Sequence, residues 1–337
     1  MDVPVYFDAR WCGRHGIGRF ATELLARIPA ARPLAIVGPK LSPLDPLAIS
    51  VALAGKRSGC YFSPGFNPPV RSPLPFIFTI HDLVHLKVPE ESTIVRRMYY
   101  KTVVLPAAVK AAAILTVSEH SRRDILEWLP ISPAKVHVVG NGVSPSFNAE
   151  GPSARGKYIL HVGRRVGHKN VARLLQAFAA TACRNEYRLR FTGTADRDTL
   201  ASAKEYGIGH RLEFTGDIGD EDLAALYRGA MALVFPSLYE GFGLPVIEAM
   251  ACGTPVITSA SSALAEVSGD GNAILVDPTD ALSIADAIDR VSTDEHLRHS
   301  LKVRGLVRAR AFSWIRVAER VNDVLNRILH GSEKPAR

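Results

Sequence analysis

The chain has 337 residues, a length that suits two domains rather than one. Hydrophobic residues make up 47% and charged residues 22%, the balance of an ordinary globular protein, and no apolar run reaches membrane-spanning length. The formal net charge of +8 points to an acidic partner, and no helix-turn-helix, zinc-finger or RRM signature accompanies it, which argues against nucleic acid and leaves anionic lipid, phosphorylated substrates or a merely basic surface.

Met1-Asp2-Val3-Pro4 leads straight into a strand-like run at 3–7, with no basic n-region and no signal-peptide core, so no secretory leader is expected. Cys12, Cys60, Cys183 and Cys252 are scattered without C-x-x-C or metal-ligand spacing and read as reduced thiols of a cytoplasmic protein. Asp8-Ala9-Arg10 follows the first strand, then Gly16-Ile17-Gly18-Arg19 opens a helix. Such a loop lets a phosphate approach the backbone closely. The dinucleotide fingerprint G-x-G-x-x-G fails because position 21 is Ala, which removes a dehydrogenase reading.

Further strands are expected at 33–37, 75–80, 113–118 and 136–139. His81-Asp82 stands immediately after the strand 75–80, either as a turn-capping Asp with a polar His or as part of a site. Residues 94–110 combine Arg96, Arg97, Lys101 and Lys110 with Tyr99 and Tyr100. Cations and aromatics on one helix can dock on anionic lipid; the plainer reading puts Met98, Val103 and Val104 in the core with the cations as a solvated face. Ser118, three residues before Ser121, reads as a helix cap. The polar stretch 144–157 reads as a linker.

Beyond it, strands are expected at 157–162, 187–193, 211–216, 232–235, 254–257 and 273–276, alternating with helices. Short continuous apolar runs suit parallel strands buried on both faces, and the alternation implies βαβ units. Ligands in such folds bind beyond the carboxyl ends of the strands. Arg164 and Lys169 stand five apart in the loop after 157–162, where a planar fork and a point charge could clamp a diphosphate. Asp220 and Asp222 read as helix-start acids rather than metal ligands. The stretch FPSLYEGFGLPVIEAMACGTPVIT, residues 235–258, gives strand, Gly-rich loop and helix, with Glu240 at the loop mouth and Glu248 in the helix's first turns. Pro245 suits a first helical turn, and free N–H groups there favour an anion.

That stretch resembles the E-x7-E signature of retaining glycosyltransferases of family 4. The likeness extends to Gly163-Arg164 with Lys169 five residues after the Arg, the GIGR loop, His81 and Phe312-Ser313-Trp314. It implies the α/β GT-B fold: two doubly wound Rossmann-like domains facing across a cleft, with a C-terminal helix crossing back to the N-domain. Residues 1–150 would bind acceptor, 151–312 the nucleotide sugar, and 313–330 would form the crossover helix. The resemblance assigns Arg164 and Lys169 to the donor diphosphate, with the backbone at Gly243 and Leu244. It assigns Glu240 to the sugar hydroxyls, Glu248 to the ribose and Ile218 to the base. Gly16 and Gly18 would close over the pyrophosphate, and His81 would meet the transferred sugar. It assigns no role to Arg165, an extra cation.

The activity implied is metal-independent transfer of a hexose with retention, from a nucleotide-diphosphate sugar to a glycan or lipid-linked glycan. No other cofactor is expected. The mannosyltransferase-like members share the HDL string, so GDP-mannose is the first expectation. The expected place is cytoplasmic, peripheral on the inner face of a membrane. Two rivals share the fold: a sugar-nucleotide epimerase and a catalytically silent partner subunit.

Overall fold

The computed structural model describes residues 3–14 and 16–331. Their strands form two six-stranded sheets in which every pairing is parallel. A parallel neighbour can be reached only by a crossover, which explains the helix after nearly every strand. The first sheet holds β1 (Val5–Phe7), β2 (Ala31–Pro33), β3 (Cys60–Ser63), β4 (Phe76–Thr79), β5 (Ala113–Thr116) and β6 (Val136–Val138) in the order β2-β1-β3-β4-β5-β6. The second holds β7 (Tyr158–His161), β8 (Arg188–Phe191), β9 (Leu212–Phe214), β10 (Leu233–Phe235), β11 (Val256–Ser259) and β12 (Ile274–Val276) in the order β12-β11-β10-β7-β8-β9. β3, β4, β5, β7, β10 and β11 are buried at every residue, as parallel strands covered on both faces are.

Chain direction across each sheet reverses once, between β1 and β3 in the first and between β7 and β10 in the second. Loops leaving such a pair splay apart and leave room for a ligand. The loop after β7 carries Arg164 and Lys169, and the loop after β10 carries Glu240.

The chain divides into two compact units: residues up to Gly142 together with the chain from Trp314 onward, and Val143–Ser313. The stretch 144–157 is not a free linker. Phe147 is buried with its ring 5.9 Å from Tyr227, and Ala154 donates to the Ala225 carbonyl at 2.9 Å. Arg228 also donates to the Pro152 and Asn148 carbonyls at 2.8 and 3.1 Å, so one buried aromatic and several backbone contacts anchor a segment whose composition is polar. The last helix, Trp314–His330, buries Trp314, Val317, Ala318, Val321, Val324 and Leu325, a stripe at helical spacing. It lies in the first unit, where Trp314 meets Phe20 and Arg320 donates to the Val139 carbonyl at 3.2 Å.

Three local expectations are corrected. The strand expected at 33–37 sits at Ala31–Pro33 on the sheet edge, where a proline lacking its N–H is tolerated. β3 was not foreseen: four residues of mixed polarity between Gly59 and Pro64 carry no periodic signal, and pairing on both sides makes them a strand. In 94–110, Val104 is buried, Val103 only half-buried, and Met98 is 57% exposed. The segment runs as the helix Ile94–Tyr99, a π-helical turn Tyr100–Val104 and the helix Leu105–Lys110. Tyr100 rather than Met98 turns inward, onto Phe66 and Trp128.

Candidate active site

The β7 loop carries three cations, Arg164, Arg165 and Lys169. Arg164 is exposed, and among the described residues its guanidinium makes no hydrogen bond or ion pair. Arg165 faces inward. It bonds Asp196 and the Thr194 carbonyl, donates to the Thr192 carbonyl at 2.8 Å, and lies over the Phe214 and Phe191 rings at 5.3 and 5.7 Å. Burial opposes ionisation of Asp196, but bonds from Arg165 and from the Thr199 N–H and hydroxyl outweigh it and hold the carboxyl below its ordinary value. Arg165 is therefore a brace for the loop after β8, which accounts for the cation that the resemblance left without a role.

Lys169 ends the short turn Gly167–Lys169. Its Nζ lies 2.5 Å from Glu240 Oε1 and 5.0 Å from the centre of the Phe235 ring, and the two charged side chains are only 18% and 12% exposed. Two expected site residues from loops 71 positions apart are thus in direct contact. A pair this sheltered is screened less by salt than a surface pair. Beneath it, His161 of β7 is fully buried, with Nδ1 3.0 Å from the Val234 carbonyl, so that nitrogen carries the proton. Burial pushes its pKa down to about 4, and the ring is neutral at pH 7.

Glu240 is pinned by its backbone: its N–H donates to Ser262 Oγ at 3.2 Å and its carbonyl accepts from Ala263 at 3.3 Å. Gly243 then starts the helix Leu244–Ala251 from φ 102°, and a Cβ there would lie 2.5 Å from Leu264 Cδ2. Only glycine meets both demands. Leu244 follows at the first helical position with Pro245 beside it, as expected for a proline-primed helix start. Glu248, in the second turn, is 5% exposed and accepts from the buried Tyr227 hydroxyl at 3.1 Å. It lies deeper than a loop-mouth carboxylate.

Ile218 is half-buried in the loop between β9 and the helix Asp220–Gly229. Two left-handed glycines, Gly193 and Gly216, exchange backbone hydrogen bonds of 3.0 and 3.1 Å and join the loops after β8 and β9. Asp220 and Asp222 stand in the first turn of their helix, as expected. Among the described residues no three His, Cys, Asp or Glu side chains are grouped to hold a metal ion.

Gly16, Gly18 and His81 belong to the first unit. Gly16 has φ 54° and would meet nothing if given a Cβ, whereas a Cβ on Gly18 would strike the Gly13 backbone at 2.9 Å. Gly18 is thus fixed by chain packing inside its own loop. His81 lies 2.9 Å through Nε2 from the Pro64 carbonyl and stands edge-on to Phe20 at 4.9 Å, which brings it beside the helix that Gly16 opens. Burial of the ring pushes His81 to about 4, although the residue as a whole keeps part of its surface accessible. Asp82 accepts from the Val84 N–H at 3.0 Å and caps the turn.

Sequence reasoning missed a polar cluster at the β1–β3 switch point. Buried Asp8 and Asp45 hold Arg10 at 2.7 and 2.8 Å, and Asn67 donates to both carboxylates at 3.0 and 2.9 Å. Two open concavities, of about 400 Å³ beside Arg71, Phe76 and Lys110 and about 380 Å³ beside Arg190 and Phe214, are lined by neither Lys169, Glu240 nor Glu248. Converging charge on the β7 and β10 loops, not a closed cavity, marks the candidate site.

Two parallel doubly wound sheets with this strand order define a GT-B glycosyltransferase fold. A sucrose-phosphate synthase of Thermosynechococcus elongatus superposes with a TM-score of 0.79 at 21% identity, over 98% of this chain and 100% of that one. The model of the glycosyl transferases group 1 family matches residues 144–306, and that of glycosyltransferase family 4 matches 48–147. An O-antigen chain mannosyltransferase B of Escherichia coli is 31% identical over 80% of this chain and 75% of its own length. An MMP alpha-(1->4)-mannosyltransferase of Mycolicibacterium hassiacum is 35% identical over 67% of this chain and 56% of its own. The chain belongs to this family of glycosyltransferases.

Proposed function

We propose that the chain transfers a hexose with retention of configuration, from a nucleotide-diphosphate sugar to a glycan or lipid-linked glycan. The observation that carries the reading is the Lys169–Glu240 contact at the β7–β10 switch point, where a cation for the diphosphate and a carboxylate for sugar hydroxyls meet. GDP-mannose is the proposed donor, because the relatives are named mannosyltransferases. In the reaction the bond between the anomeric carbon and the leaving phosphate oxygen breaks, the acceptor oxygen bonds that carbon on the same face, and its proton passes to the departing phosphate. Negative charge grows on the diphosphate. Fixed donors aimed at growing charge lower the barrier most. Lys169, Arg164 and the helix start at Gly243 and Leu244 supply them with no metal. Glu248 serves the ribose and Ile218 the base. In the first unit, Gly16 and Gly18 are assigned to pyrophosphate and acceptor, and His81 to the sugar.

Offering the protein GDP-mannose, UDP-glucose and other nucleotide sugars tests the donor, by thermal stabilisation and by release of free nucleotide. Donor release in which Glu240→Ala, still folded, keeps near-parent turnover would refute the site. Release of nucleotide with a changed sugar from donor alone would favour an epimerase. Binding without turnover would favour a silent partner subunit.

The lipid-linked acceptor goes with docking of residues 94–110 on an anionic membrane. Ile94, Val95 and Met98 are 76%, 77% and 57% exposed beside exposed Arg96, Arg97 and Lys101, an apolar surface with a cationic margin. Among the described residues no helix is long and apolar enough to cross a membrane. Anionic vesicles should bind in a salt-sensitive way and lose affinity for Arg96→Glu/Arg97→Glu. Indifference to such vesicles at low salt would make the acceptor a free glycan.

A further inference from the structure

Lys169 is bracketed by hydrogen bonds made by its two neighbours in sequence. The His168 carbonyl accepts from the Leu238 N–H at 2.8 Å. Asn170, 7% exposed, donates through both hydrogens of its side-chain amide, to the Pro236 carbonyl at 2.9 Å and the Pro278 carbonyl at 2.6 Å. Pro236 directly follows β10 and opens the loop that carries Glu240; Pro278 follows β12 by one residue. One amide therefore ties three strand-end loops together. Its Oδ1 accepts from Arg173 at 3.1 Å, and Arg173 also reaches the Pro278 carbonyl at 3.2 Å, which fixes which end of the amide is which.

The backbone makes a second demand. Asn170 sits at φ 62°, ψ 32°, the left-handed region, where it turns the chain out of the Gly167–Lys169 turn and into the helix Val171–Ala180. Asparagine is among the few residues that tolerate that region. Glycine would satisfy the backbone and donate nothing. Aspartate would satisfy it and set a carboxylate against two carbonyl oxygens. The position needs a short side chain, two donors and a left-handed backbone at once, and asparagine supplies all three.

We infer that Asn170 is a positioning residue: it fixes the reach of Lys169 toward the donor diphosphate by locking the β7 loop to the β10 and β12 loops. The inference rests on the proposed diphosphate role of Lys169 and adds to it a residue that touches no substrate. A residue whose only task is stability would lower the melting temperature and leave affinity below that temperature unchanged. A residue acting through Lys169 must lower affinity, and must do so only while Lys169 is present.

GDP and UDP are titrated by calorimetry against the parent, Lys169→Ala, Asn170→Gly and the double variant, well below each melting temperature. Lys169→Ala is expected to weaken the tighter nucleotide at least tenfold and Asn170→Gly by about tenfold, the size expected when a buried donor pair is lost. The double variant should bind no worse than Lys169→Ala alone, since coupled residues fail to add. If Asn170→Gly folds poorly, Asn170→Ser, which keeps one donor, should fall between it and the parent. Undiminished affinity in Asn170→Gly, or additive losses in the double variant, would overturn the positioning role while leaving that of Lys169 intact. Unchanged affinity in Lys169→Ala, or a parent that binds neither nucleotide, would overturn both.

Discussion

Gly243→Ala should destabilise the second unit and leave the first untouched. Two costs add. The residue sits at φ 102°, ψ 57°, where a side chain carries strain of about 1–3 kcal/mol. The new Cβ would also lie 2.5 Å from Cδ2 of Leu264, whose fully buried side chain would have to shift. Overpacking of that kind costs a further ~1–3 kcal/mol. The sum, ~2–6 kcal/mol, is a large part of the ~5–15 kcal/mol that holds a typical domain. All three tryptophans, Trp11, Trp128 and Trp314, belong to the first unit, so their fluorescence reports on the wrong part of the chain. Amide hydrogen exchange in β10 and β11 reads the right one. Protection there should fall by roughly 30-fold or more, each ~1.4 kcal/mol being a factor of ten. Adding Leu264→Ala separates the costs: that change opens a cavity, and Gly243→Ala on top of it should fill part of the space, so the pair must be less damaging than the sum. Strictly additive losses, or exchange within threefold of the parent in Gly243→Ala alone, would show that Leu264 does not wall the loop.

Glu248→Ala should mainly raise donor KM and weaken nucleotide affinity, because a ribose contact is present before and during reaction; unchanged values of both would contradict its assignment. Activity should survive EDTA in full, since Arg164 and Lys169 supply the positive charge; complete loss restored by Mg²⁺ or Mn²⁺ would refute that. His161 is neutral and buried with its pKa near 4, so the unfolded chain takes up the extra proton as pH falls from about 6.5 to 4 and stability drains away through that window. Replacing it with Leu should remove ~3 kcal/mol of acid sensitivity, measured as the difference between parent and variant in urea unfolding at pH 7 and pH 4.

How much of this was legible in the sequence depended on chain distance. Lys169 and Glu240 stood out because each lies on a short loop after an apolar run, where phosphate- and sugar-binding side chains are expected. Their contact could not be read, since it follows from β7 and β10 being neighbours in the sheet. Asn170 carried a local hint, an asparagine just before an apolar-periodic helix, but its partners lie 66 and 108 residues away. Arg165 had no local hint, and its partners are 27, 29 and 31 residues on. Tyr227, which meets Glu248, reads in sequence only as one more buried aromatic on a helix. Met98 misled for the opposite reason: apolar spacing within a helix says that one face is covered without saying which.

The switch point explains why charge can be concentrated there at so little cost to the fold. A lone Lys or Glu at 18% or 12% exposure would lose much of its hydration with nothing in return. Each instead meets the other, and the rigid parts beneath them fix the meeting. Asn170 and the Leu238–His168 bond hold one loop, while Ser262 and the glycine at 243 hold the other. Under the proposed reading, a diphosphate arriving at Lys169 adds an anion to an ammonium that is already in place. Arg164, exposed and without an ion-pair partner among the described residues, supplies a second cation. Arg164 and Lys169 face Glu240 and Glu248, so these side chains carry no formal net positive charge, too little to neutralise a diphosphate. The deficit falls hardest on the ground state if the donors are aimed where charge grows rather than where it rests, which is the condition under which binding energy accelerates a reaction instead of merely holding the substrate.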